Sequence, residues 1–125
     1  MAYIRCGGGA EKPTLLWTNP SPSSSFSAQT LNINLTGYDY LIFEIKGYMG
    51  DTMGFIRDTC FDVSDEFGCI CGTYGFDSTT FYDSARRINV TNSSIQFSDG
   101  IAGNGTESPA YCTPLKIYGL KKALI

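Results

Sequence analysis

Apolar and polar side chains alternate along residues 29–35 and again along residues 40–48, and this period of two constrains the fold more than any other feature. In the second segment Leu41, Phe43 and Ile45 fall on one face. Because successive side chains of a β-strand point to opposite faces, each segment is predicted to be a strand with one face in the core. No stretch of about 11 residues or more repeats apolar positions at helical spacing without an interrupting Gly or Pro.

The rest of the chain favours the same kind of element. The eight Tyr, eight Phe and fourteen Gly, with only 17% charged residues, are typical of short strands joined by tight turns. Residues 57–68 and 99–109 are predicted to be an acidic loop and a long polar loop. Further strands are predicted at residues 15–17, 52–57, 67–76, 86–90, 94–98 and 111–120.

About eight short strands separated by regular turn signals predict an all-β fold. We expect a single antiparallel β-sandwich, jelly-roll-like, over residues 13–125. A glycine-rich, flexible N-terminal lead-in is predicted over residues 1–12.

The charge balance excludes some partners. Nine Lys and Arg against twelve Asp and Glu give a formal net charge of −3, which lacks the electrostatic attraction on which nucleic-acid binding depends. No run approaches the roughly 18 apolar residues of a membrane span, and the first residues open no secretory signal. We therefore expect no nucleic-acid partner, no membrane insertion, and synthesis in a cytoplasm.

The chain contains no histidine, which removes the usual general base and any Ser-His or Cys-His nucleophile. Carboxylates such as Asp62 and Glu66 leave glycoside hydrolysis open as an alternative, because that reaction needs two carboxyl groups across a cleft. Residues 58–66 also leave calcium binding open, although their spacing fits no EF-hand loop. A solvated acidic turn is the favoured interpretation, so we expect no catalytic residues, no cofactor and no metal.

Five cysteines occur in a chain without an export signal, and the odd number favours reduced, mostly buried thiols over a disulfide framework. Cys69 and Cys71 are predicted to share one face of a strand. A thiol-only metal site built from Cys60, Cys69, Cys71 and a fourth cysteine is the alternative to small packed hydrophobic residues.

Aromatic residues near Gly- and Asp-rich turns suggest a surface for sugar recognition, since aromatic rings stack on the C–H faces of sugars while polar groups bind hydroxyls. Packing in the core or at a subunit interface is the alternative for most of these rings. The wider set is Tyr38, Tyr40, Tyr48, Tyr74, Phe76, Phe81 and Tyr82. The predicted ligand-binding residues are Tyr74, Phe76, Asp77, Phe81 and Tyr82.

Four short motifs, taken in order, resemble a family of small structural proteins encoded by phages and prophages of gut bacteria. Members of that family occur alone or as C-terminal domains of longer tail and minor structural proteins. Residues 49–85 depart most from the family outline. The motifs are Leu16, Trp17, Asn19 and Pro22; Phe26, Ala28, Gln29 and Thr30; residues 38–45; and Pro114, Ile117, Tyr118 and Gly119.

The resemblance implies a non-enzymatic virion component, associated with the tail, that contacts other virion proteins and recognises or adheres to the host. Glycans of the host cell surface are the expected ligands. A purely architectural virion subunit (decoration, neck or baseplate) is the alternative function, and a small carbohydrate-active enzyme is a second alternative. A homotrimer is expected, with Ile117, Leu120, Leu124 and Ile125 predicted at its interface.

Overall fold

The computed structural model describes residues 12–48, 56–76, 79 and 81–122, and at Tyr74, Phe76 and Phe81 it describes the backbone alone. These residues form nine strands and one three-residue 3-10 helix, Val63–Asp65. The strands are β1 Thr14–Thr18, β2 Gln29–Asn32, β3 Tyr40–Tyr48, β4 Ile56–Asp62, β5 Phe67–Phe76, β6 Phe81–Val90, β7 Ser94–Ala102, β8 Glu107–Ser108 and β9 Tyr111–Leu120.

The strands form two antiparallel sheets packed face to face, so the predicted β-sandwich is confirmed. One sheet has the order β1-β9-β3-β4, and the other has the order β2-β7-β6-β5 with β8 paired to β7. Strands β1, β2 and β3 alternate between the two sheets. Strands β3-β4 and β5-β6-β7 are consecutive antiparallel neighbours.

The core lies between the sheets and follows the alternation of the sequence. Leu41, Phe43 and Ile45 of β3 are fully buried, as their shared phase predicts. The Phe43 ring meets the Phe97 ring of the opposite sheet edge to face, with centroids 6.2 Å apart. A smaller apolar cluster on the other face of the first sheet contains Ile42, Tyr118 and Leu120.

Two predicted loops are wrong in large part. Residues 57–62 of the predicted acidic loop belong to strand β4, and the 3-10 helix makes the turn into β5. Residues 99–102 continue strand β7, and β8 returns beside it. Both segments carry many polar residues because they lie at or near sheet edges, where one side of a strand faces water. Of the predicted lead-in, residues 1–11 lie outside the described part of the chain.

Arg86 of β6 points into the sandwich and is 0% exposed. Its three guanidinium nitrogens donate five hydrogen bonds, all to backbone carbonyl oxygens, and so use every N–H that an arginine side chain has. Burial lowers the pKa of Arg86 from its usual 12.5. The acceptors are Phe26, Ser98, Pro109, Tyr111 and Cys112, at 2.6–3.3 Å.

Arg86 therefore joins β6 to β7, to β9 of the opposite sheet, and to the segments around Phe26 and Pro109. Its guanidinium carbon also lies 5.3 Å from the centroid of the Phe26 ring. Cys112, one of its acceptors, has a φ of 54°, a backbone conformation that non-glycine residues rarely adopt. The hydrogen bond from Arg86 helps to hold this residue in place.

We expect Arg86→Met to lower the free energy of unfolding by about 3–5 kcal/mol, because five buried carbonyl groups lose their donor together. Urea unfolding followed by circular dichroism measures the change. Arg87→Met is the matched control, since Arg87 is exposed on the same strand, and its effect should stay within about 0.5 kcal/mol. Equal effects of the two substitutions would contradict the structural role of Arg86.

Candidate functional site

A groove of about 850 Å³ opens at the end of the sandwich where β4 and β6 finish and β3 and β5 begin. Its volume lies within the roughly 300–1,000 Å³ that is usual for small-ligand sites. The walls come from four separate parts of the chain: residues 38–40, residues 62–67, residues 89–92 and Lys122. Strand register brings these parts together, because Tyr40 pairs with both Leu120 and Asp62.

Aromatic side chains form one part of the groove wall. Phe67, the first residue of β5, is 69% exposed. Tyr38 lies directly over Gly119, where an added Cβ would be only 2.5 Å from its ring, so glycine is required for this contact. The Lys121 ammonium lies 5.9 Å from the centroid of the Tyr38 ring. The groove therefore offers a solvent-exposed ring at Phe67 and a ring fixed in position at Tyr38.

Carboxylates form another part of the wall. Asp39 accepts a hydrogen bond from the Lys122 backbone N–H at 2.7 Å, and its own carbonyl accepts one from Val63 at 3.0 Å. Asp62 caps the 3-10 helix, because its Oδ1 accepts from the backbone N–H of Ser64 at 3.0 Å and from the Ser64 hydroxyl at 2.8 Å. These two hydrogen bonds from Ser64 lower the pKa of Asp62 below its usual 3.8.

The rim segments are also hydrogen-bonded to one another through their backbones. The Glu66 carbonyl accepts from Val90 at 2.7 Å, which ties the end of the 3-10 helix to β6. The Asn92 carbonyl accepts from Leu35 at 2.8 Å, which ties the β6–β7 turn to the segment before β3. The groove is therefore held in shape before any ligand binds. Its two amide groups come from Asn89, near the end of β6, and from Asn92, in the turn that follows.

A second, smaller groove of about 340 Å³ also reaches Phe67 and lies on the outer face of the β2-β7-β6-β5 sheet. Phe67 and Asn89 line both grooves. Arg87 and Gln96 add polar groups to the second groove. The exposed Phe67 ring thus lies between two adjacent depressions, which is an arrangement that suits an extended ligand.

The residues predicted to bind ligand lie at the other end of the β5–β6 hairpin. Tyr74 and Phe76 belong to the end of β5, and Phe81 and Tyr82 to the start of β6, about 30 Å from the groove at the rise of a β-strand. Tyr82 is 39% exposed. Asp77 lies outside the described residues, as do the side chains of Tyr74, Phe76 and Phe81. The hairpin tip stays a prediction.

Of the wider aromatic set, Tyr38 and Tyr40 do line the groove. Phe67, Asn89 and Asn92 were not among the predicted site residues. The alternation of β5 contains a signal for Phe67. Ile70 points into the core, and Phe67, an odd number of positions away, points outward beside an acidic turn. For Asn89 at the end of β6 and Asn92 in the following turn, no local signal distinguishes a groove residue from an ordinary strand or turn residue.

The predicted interface residues divide into two groups. Ile117 and Leu120 are 0% and 1% exposed within a single chain, so their own fold covers them and leaves no surface for another subunit. Leu124 and Ile125 lie outside the described residues. Ile117 packs in the core between the sheets, and Leu120 packs in the smaller cluster on the other face of its sheet.

The cysteines differ from the predicted set of reduced, mostly buried thiols. Cys60 is disulfide-bonded, which corrects the expectation at that position and removes Cys60 from the thiol-only metal site. Cys69, Cys71 and Cys112 are free, and they are exposed, half-buried and buried in that order. Among the described residues no group of three or more His, Cys, Asp and Glu side chains is arranged to hold a metal ion. The described residues also contain no helix long and apolar enough to cross a membrane.

Comparisons of the chain with protein-family models, with curated proteins and with solved structures gave no match. The fold and the groove therefore define the chain as an all-β sandwich with a polar, aromatic-lined groove at one end.

We expect Ser64→Ala to raise the pKa of Asp62 toward its usual value of 3.8, because one of the two hydrogen bonds to the carboxylate is lost. A group with a lowered pKa in the folded state stabilises the fold above its unfolded pKa, and this contribution is lost as the pH falls through the folded pKa. The difference in the free energy of unfolding between wild type and Ser64→Ala should therefore be largest near pH 7 and shrink below about pH 4. NMR titration of the carboxyl carbons and unfolding at several pH values measure both effects, and a difference that does not change with pH would contradict this origin.

Proposed function

We propose that the protein is a non-catalytic recognition module that binds a glycan of the bacterial envelope in the end groove, as a tail-associated component of a phage particle. The observation that carries this proposal is the Phe67 ring, 69% exposed at the junction of two grooves and surrounded by carboxylates and amides. An isolated exposed ring is ordinary on a protein surface, but a ring that lines two adjacent grooves beside convergent polar groups is typical of a ligand site.

The chemistry of the groove suits a sugar. The Phe67 ring offers a face for the C–H groups of a pyranose, while Asp39, Asn89 and Asn92 offer polar groups for its hydroxyls. The backbone hydrogen bonds between the rim segments reduce the ordering cost of binding, since little of the wall has to be fixed by the ligand.

The charge of the groove indicates which glycans are preferred. Asp39, Asp62 and Glu66 line it, and among the described residues that line it Lys122 is the one cation. This excess of negative charge repels anionic sugars such as uronic acids, because like charges at close range are unfavourable in a partly desolvated site. Neutral envelope glycans are therefore the proposed ligand class.

Placement on a phage tail rests on the resemblance of the four sequence motifs, and the sandwich with its recognition groove at one end is compatible with it. A purely architectural virion subunit is the alternative. Immunogold labelling of purified particles separates the two, because a recognition module should be labelled at the distal tail, and a decoration, neck or baseplate subunit elsewhere.

We expect Phe67→Ala to weaken glycan binding by about tenfold or more, because the central exposed ring contributes most of the apolar contact. An array of neutral bacterial oligosaccharides, together with purified envelope fractions, identifies the ligand, and titration calorimetry then compares the variants. Absence of binding to every envelope fraction would overturn the recognition function.

Two variants serve as controls for Phe67→Ala. Ile56 is a similarly exposed apolar residue, at 57%, at the start of β4 and the far end of the sandwich, so Ile56→Ala should leave binding unchanged. Tyr82→Ala tests the hairpin tip predicted from the sequence. Loss of binding in Tyr82→Ala with full binding in Phe67→Ala would move the site to that tip.

Asp62 and Glu66 line the same groove, which keeps glycoside hydrolysis as the second candidate function. A hydrolase needs one carboxylic acid that is protonated near neutral pH, and the lowered pKa makes Asp62 unsuited to that role. We expect no release of reducing ends from any bound glycan. Release that disappears in both Asp62→Asn and Glu66→Gln would favour the enzyme.

A further inference from the structure

Two free thiols lie side by side on the outer face of β5. Ile70 between them points into the core and is fully buried, so Cys69 and Cys71 both project outward. Their sulfur atoms are 4.0 Å apart. Strand β5 is at the edge of its sheet, which leaves the pair accessible from solvent at Cys69.

The separation of the sulfurs matches the requirement of a single bound metal ion. Metal–sulfur bonds of about 2.3 Å place two sulfurs on one ion roughly 3.8 Å apart in tetrahedral geometry and roughly 4.6 Å apart in linear geometry. The observed 4.0 Å lies between these limits, so an ion can be held with small side-chain adjustments.

Charged groups lie near the pair on β4 and β6. Arg87 is directly opposite Cys69 on β6, on the same outward face. Arg57 of β4 donates a hydrogen bond to the hydroxyl of Thr73, two positions along β5 from Cys71. Burial raises the pKa of the Cys71 thiol above its usual 9.0, so a bound ion has to displace the thiol proton.

We propose that Cys69 and Cys71 form a binding site for a soft monovalent cation of the Cu(I) class, held by the two sulfurs in preference to Zn²⁺. Thiolates are soft ligands that select Cu(I), which two sulfurs satisfy, whereas Zn²⁺ takes four ligands. The pair supplies two, and no larger metal-ligand cluster is found among the described residues. Binding releases the two thiol protons to solvent and leaves a complex of charge −1 beside Arg57 and Arg87.

The experiment is a competition for Cu(I) between the full chain, with the Cys60 disulfide intact and Cys69 and Cys71 as free thiols, and the coloured Cu(I) complex of bicinchoninate, under anaerobic conditions with ascorbate. We expect one Cu(I) bound per chain, and a loss of at least tenfold in affinity for both Cys69→Ser and Cys71→Ser. A hundredfold excess of Zn²⁺ should not displace the copper. Retention of Cu(I) affinity by either variant, or displacement by equimolar Zn²⁺, would overturn the proposal.

Cys112→Ser is the matched control, because it also removes one thiol but at a buried position. Burial raises the pKa of Cys112 to about 12, so this thiol stays protonated and the variant should bind Cu(I) as wild type does. A second measurement uses the wild-type chain and so does not depend on whether the variants fold. Bound Cu(I) should protect Cys69 and Cys71 from alkylation by iodoacetamide, which peptide mass spectrometry measures. Alkylation of both at the unprotected rate would contradict the site.

Discussion

A single buried cation, the guanidinium of Arg86, joins the parts of this sandwich that the sheets alone do not connect. Each of its five N–H groups meets a backbone carbonyl, in β7, in β9 or in the segments around Phe26 and Pro109. A buried charge is costly unless every donor is satisfied, and the dipoles of five carbonyls meet that condition without a carboxylate. The two sheets are thereby fixed relative to each other near the middle of β6.

The fixed sheets in turn determine the groove. Its walls are the ends of strands from both sheets, so their spacing depends on how the sheets pack. Direct backbone hydrogen bonds then connect one wall to the next, as between Glu66 and Val90. A groove built in this way is rigid, and it leaves the Phe67 ring exposed on a frame that does not need to reorganise. Rigid presentation of one exposed ring is the physical basis of the proposed glycan binding.

The strands could be predicted well because alternation is a local property. Leu41, Phe43 and Ile45 have the phase of a core face in the sequence and are fully buried in the structure. The groove could be predicted only in part, at Tyr38, Tyr40 and the candidate carboxylates Asp62 and Glu66. Its residues are separated by up to 84 positions, between Tyr38 and Lys122. Arg86 was not identified, since beside Arg87 it resembles one of two surface charges. Arg86 shares the alternation of Ser84, Ile88 and Val90, which are all buried. This shared alternation is the signal that Arg86 faces inward.

The sequence by itself determined the class of fold, the faces of the central strands and the absence of histidine chemistry, because these follow from composition and from a period of two residues. The tertiary structure decided which strands are neighbours, which end of the sandwich carries a groove, and that one arginine of an adjacent pair is buried. These properties depend on register and sheet packing, which bring distant residues within a few ångströms of each other. Local sequence patterns carry no measure of such distances, since any strand of suitable phase is able to pair with several others.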